Sequence, residues 1–250
     1  MPHDKTTGIY YEIHGNGYPL FLGFPVMASH GEIFGNGSVL TGFLERLTDR
    51  YRVLVIDYPS IGKSASIPPA ELTAARTSED MLAVADAAGF DRFAWWGGTF
   101  GAMIGLQLAS QSDRPSALIC AGWPPLGAPY ADMLRGVRLN AADPPAHARQ
   151  ILREPSQYAQ WVPFYESLQR WPEAQAVARI QCPQMAVFGS DAESDVAGIP
   201  LHIAATLRER RLELEALGWR VTEIPGRDTG LILDPESLVP AVREFLDAVT

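Results

Sequence analysis

Apolar residues fall into short continuous runs, separated by stretches in which they recur at three- and four-residue spacing. The runs read as strands and the spaced stretches as helices. Ile9 to Ile13 alternates weakly before a His14-Gly15-Asn16-Gly17 turn, as an edge strand does, and Pro19 to Phe24 reads as a central strand. Val39 to Leu47 has helical spacing, and Arg52 to Tyr58 is a continuous β-branched run suited to a strand buried on both faces. Thr77 with Asp80 fits a capping box opening a helix to Ala88, which Gly89 closes. Later strands are expected at Ala117 to Ala121, Met185 to Phe188 and Arg220 to Ile224. Helices are expected over Ala205 to Leu217, and from Asp234-Pro235 through Phe245. Such alternation implies a mostly parallel sheet with helices on both faces.

Between about residues 124 and 179 the texture changes, with frequent prolines and interspersed aromatics. This predicts a helical lid inserted into one α/β domain spanning 1–250. Trp123, Trp161, Phe164 and Tyr165 are its candidate pocket wall.

The most informative stretch is Phe93 to Gly105, FAWWGGTFGAMIG. An apolar run breaks at Gly97-Gly98-Thr99-Phe100-Gly101 and resumes as a helix-compatible segment, so it predicts strand, sharp turn, helix. A turn of this kind lifts one hydroxyl, here that of Thr99, above the sheet edge, and the glycines allow close packing around it. Trp95 and Trp96, adjacent on the strand, must point to opposite faces.

Composition narrows the partners. With 47% hydrophobic and 20% charged residues, a 250-residue chain can bury a large core. The net charge of -9 and the lack of a basic run disfavour nucleic acid. No stretch approaches the length of a membrane span and the N-terminus has no leader-like pattern, so a cytoplasmic protein is expected. The two cysteines, Cys120 and Cys182, lack metal-ligand spacing and no metal is expected. The Gly62-Lys63-Ser64 triplet lacks the earlier glycine of a phosphate loop, since Asp57 stands there. No cofactor is implied.

Several ordered landmarks resemble the α/β-hydrolase superfamily: LGFP at 22–25, Asp57 with Gly62 and Ser64, GGTFG at 97–101, FGSD at 188–191 and PGRDTG at 225–230. The resemblance implies that fold, with the inserted lid. It places Thr99 at the nucleophile position and Thr229 at the histidine position. Asp191 and Glu193 flank the usual position of the acid, which Ala192 occupies. The backbone N–H groups of Phe24 and Phe100 take the places of the oxyanion-hole donors, since Pro25 has none. A threonine hydroxyl needs a base, and Thr229 cannot accept its proton. Glu193 and His30, which could approach the site, are possible bases, and His202 lies in the segment after FGSDAESD.

Three readings follow. The first is non-hydrolytic elimination, cyclisation or isomerisation of a hydrophobic carbonyl compound, with backbone amides stabilising charge. The second is hydrolysis of an ester, lactone or thioester using Thr99. The third is a non-catalytic small-molecule or partner-binding protein. In each the ligand is a mostly apolar small molecule with a carbonyl or similar acceptor.

Overall fold

The computed structural model describes residues 3–23, 28–29, 32–33, 38–146, 148, 152 and 154–250. Strands β1 (Tyr11–His14) and β2 (Tyr18–Gly23) lead through the short β3 (Ala28–Ser29) and β4 (Glu32–Ile33) to helix α1 (Ser38–Glu45). Then come β5 (Tyr51–Ile56), α2 (Ala74–Ala87), β6 (Phe93–Gly98), α3 (Phe100–Gln111) and β7 (Pro115–Ala121). Helices α4 (Tyr130–Ala142), α5 (Trp161–Leu168) and α6 (Glu173–Val177) follow before β8 (Gln184–Gly189). A hairpin, β9 (Ser194–Val196) and β10 (Ile199–Leu201), precedes α7 (Ile203–Ala216), β11 (Trp219–Ile224) and α8 (Pro235–Val249).

The main sheet has seven strands in the order β1-β5-β2-β6-β7-β8-β11. Only β1 runs antiparallel, against β5, and every other pairing is parallel. The inner strands β5 to β8 are almost wholly buried, which is why their sequences are continuous apolar runs rather than alternating ones. Side chains of alternate residues feed two separate cores, one on each face of the sheet. Trp95 packs on Phe21 in one, with ring centroids 4.6 Å apart, while Trp96 meets Phe43 edge-on at 5.5 Å in the other.

The start of α2 corrects the sequence reading. Thr73, not Thr77, is the N-cap, its hydroxyl accepting the Arg76 amide at 3.2 Å. Thr77 sits one turn inside, where its hydroxyl donates to the Thr73 carbonyl at 2.8 Å. Asp80 is engaged by the Arg76 guanidinium at 3.0 Å, so the polar spacing reflects an ion pair along the helix. At α8 the expected cap holds: Asp234 accepts the Ser237 amide at 3.2 Å, with Pro235 in the first turn.

Candidate active site

The centre of the sheet builds a sharp turn between β6 and α3. A side chain on Gly97 would begin 2.1 Å from the Gly101 carbonyl carbon, and one on Gly101 would begin 2.2 Å from the Gly23 carbonyl oxygen. Only glycine lets the strand end, the helix start and the end of β2 approach so closely. The Trp95 indole N–H, donating to the Gly101 carbonyl at 2.9 Å, pins the turn from below.

Thr99 occupies the apex with φ 44° and ψ −101°. A β-branched residue at positive φ is strained, at a cost of about 1–3 kcal/mol. The conformation is held by the Thr99 amide donating to the Ala121 carbonyl at 3.0 Å and by the Ala102 amide donating back to the Thr99 carbonyl at 3.0 Å. Phe100 is the first residue of α3, so its N–H belongs to the donors that a helix cannot satisfy internally. Its ring is buried against Phe164 at 4.4 Å and Tyr58 at 5.1 Å.

Above the turn lies a cavity of about 370 Å³ whose wall includes Thr99, Phe100, Trp123, Tyr165 and Thr229. Two turns far apart in the chain thus bring Thr99 and Thr229 to one space. Gly122 lies beneath: a side chain there would begin 3.9 Å from the Thr99 methyl and 2.7 Å from Ile232. The Thr229 hydroxyl points to the Glu193 carbonyl at 3.5 Å, a long contact that leaves it free to reorient. Burial pushes the Tyr165 hydroxyl well above the ordinary phenol range, so it stays neutral.

Other expected site residues lie elsewhere. Trp161 and Phe164 are absent from the cavity wall. Trp161 packs edge-on against Tyr158 at 4.7 Å, and Phe164 fills the space between Phe100 and Tyr165. Their faces of α5 point into the core that the inserted helices share with α2 and α3. The Asp191 carboxylate accepts the Ser190 hydroxyl at 2.9 Å on the exposed loop after β8, outside the cavity. Glu193 also turns outward, where its carboxylate meets the His202 Nδ1 at 3.0 Å. His202 stands between Leu201 and Ile203, both of which line the cavity. Phe24, His30 and His147 lie outside the described residues.

The sequence reading missed the hairpin β9–β10. Ser194, Asp195, Val196 and Leu201 from it line the cavity. It packs on α4, where a side chain on Gly136 would begin 2.3 Å from a Val196 methyl carbon. Its turn signal, Ala197-Gly198, was present, but three-residue strands are too short to show periodicity.

The Asp57 to Ser64 loop serves the fold. The buried Asp57 carboxylate accepts the Lys63 amide at 2.8 Å, the Ser64 hydroxyl accepts the Tyr10 amide at 2.9 Å, and the Lys63 ammonium lies over the Tyr10 ring. Among the described residues no group of three or more His, Cys, Asp or Glu could hold a metal ion, and no helix is long and apolar enough to cross a membrane.

The strand order, the strained turn and the cavity above it are those of an α/β hydrolase. A family model of the alpha/beta hydrolase fold matches residues 25–174, and the chain belongs to that family. Among curated proteins it is similar to the putative carbamate hydrolase RutD of Klebsiella pneumoniae (strain 342), with 33% identity over 105 residues, 40% of this chain and 39% of that one. The RutD of Caulobacter vibrioides is 32% identical over 125 residues, 49% of this chain and 45% of that protein. The match thus spans less than half the length of these relatives. Among solved structures, the enol-lactonase from Burkholderia xenovorans LB400 superposes with a TM-score of 0.69 at 20% identity, covering 97% of this chain and 98% of that one. A thermophilic esterase from Thermogutta terrifontis gives a TM-score of 0.71 at 18% identity, covering 96% and 93%. At these identities the likeness establishes the fold.

Proposed function

We propose that the chain is an acyl hydrolase that cleaves an ester, lactone or thioester bond in a small, largely apolar molecule, with Thr99 as nucleophile. The observation that carries this reading is the strained Thr99 apex, held at φ 44° at the wall of a largely apolar cavity. Strain at a functional hydroxyl is retained where the position is worth more than the stability it costs. The naming of the curated relatives as carbamate hydrolases supports hydrolysis at a carbonyl over the non-hydrolytic chemistry expected from the threonines alone. Nothing found favours elimination, cyclisation or isomerisation.

In this reading the Thr99 oxygen adds to the substrate carbonyl carbon and its proton passes to a base. The developing oxyanion is received by the Phe100 N–H, with Phe24 as the second donor by family resemblance. Collapse expels the alcohol or thiol, and water then releases the acyl group from Thr99. The base is the His202 imidazole, oriented by Glu193 at 3.0 Å and reaching the site through water at the cavity rim. Thr229 stands where a histidine would face Thr99 and positions that water by its hydroxyl. The helices between β7 and β8 act as the lid.

The test is turnover of short-chain activated esters by the wild type, Thr99→Ala and His202→Ala. Loss of kcat in both, on the order of 100-fold or more, supports the assignment. Unchanged turnover in Thr99→Ala overturns it.

A further inference from the structure

The cavity beside Thr99 is one-sided in charge. Among its described lining residues Asp195 is the one acidic side chain, and there is no lysine, arginine or histidine. Asp195 is exposed at the mouth of the cavity, between the half-buried Ser194 and Val196, and one of its oxygens accepts the Gly198 amide at 3.0 Å, which fixes the carboxylate on the hairpin. No cationic side chain pairs with it among the described residues, whereas Glu193, two residues away, is matched to His202. The rest of the cavity wall is soft and electron-rich: the Trp123 indole, the Tyr165 phenol and the thioethers of Met103 and Met133. Aromatic faces attract an alkylammonium, and thioethers adapt to its shape. The overall charge of -9 adds a field of the same sign.

We propose that this site takes acyl compounds bearing an ammonium group, which is placed against Asp195, and discriminates against compounds bearing a carboxylate, sulfonate or phosphate. The inference rests on the hydrolase reading for the word acyl, but the ammonium preference stands on the cavity itself. The preferred substrate is a small amino ester, amino lactone or amino thioester with an apolar body. A free carbamate ion, being anionic, is a poor ligand on this account.

Binding separates the two claims. Calorimetry with hexyltrimethylammonium, 1-hexanol and hexanesulfonate compares cation, neutral and anion on one apolar chain, for the wild type, Asp195→Asn and Ser194→Trp. Asp195→Asn keeps the oxygen that accepts the Gly198 amide, so the hairpin is preserved. The expected order is ammonium tighter than alcohol by about fivefold or more, with the sulfonate weakest. That preference collapses in Asp195→Asn and shrinks at high salt, and Ser194→Trp blocks all three ligands. Equal affinity for ammonium and sulfonate, or a preference that survives in Asp195→Asn, overturns the inference, as does failure of the wild type to bind hexyltrimethylammonium. Ammonium selectivity without ester turnover removes the hydrolase reading and leaves this one standing, and turnover without selectivity does the reverse.

Discussion

Thr99 and Thr229 reach the same cavity of about 370 Å³ from two different turns, one at the end of β6 and the other beyond β11. Two turns that are distant in sequence therefore open on one space, and each brings a hydroxyl to it. What each hydroxyl contributes can be separated experimentally.

Thr99 costs stability where it sits. Replacing it with glycine, which accepts φ 44° freely, is expected to raise Tm by about 2–4 °C per kcal/mol of strain released, while abolishing turnover. Thermal unfolding of Thr99→Gly beside the wild type measures it. A lower Tm in the variant would mean that the turn is relaxed around threonine.

Restoring the family's residue types is expected to increase activity. The Thr99→Ser, Thr229→His double variant places an imidazole at the wall that Thr99 already shares, and kcat for an activated ester should rise about tenfold or more over the wild type. Each single variant should gain much less, because nucleophile and base act as a unit.

Phe164 on α5 and Trp123 after β7 should behave differently when truncated. Phe164 is fully buried between Phe100 and Tyr165, so Phe164→Ala should lose about 3–5 kcal/mol in urea unfolding. Trp123→Ala removes cavity wall, and its larger effect should be on KM for apolar substrates.

The Glu173 carboxylate ties α6 to the loop before α4. Burial pushes its pKa up, opposed by the Gly127 and Ala128 amides that it accepts at 2.7 and 3.2 Å. A carboxyl whose folded pKa is raised binds its proton more tightly in the native state. Its contribution is therefore most favourable at low pH and is lost as pH rises from the unfolded value through the folded one. Glu173→Gln, which keeps an acceptor without the charge, should match or exceed wild-type Tm at pH 7 and lose that advantage near pH 4.

Much of this architecture was legible in the chain. Arg52 to Tyr58 and Met185 to Phe188 announced buried parallel strands because both faces of the sheet are covered, and the glycines around Thr99 announced the turn because no other residue fits there. The α2 cap was misread because Thr73 and Thr77 are both plausible caps locally, and only the register of the helix on α3 decides between them. The cavity wall was legible only in part. Phe164 and Tyr165 are adjacent in sequence, yet one faces core and the other cavity, a distinction set by how α5 is rotated in its packing. Asp195 gave no sign, since its hairpin is too short to carry a pattern.

The most direct measurement is intact mass after mixing wild-type protein and Thr99→Ala with an activated acyl ester and, separately, a fluorophosphonate. The account predicts an adduct on the wild type that maps to Thr99 and is missing from the folded Thr99→Ala protein. Ester turnover by the wild type with no adduct at Thr99, or an adduct that persists in Thr99→Ala, would contradict it.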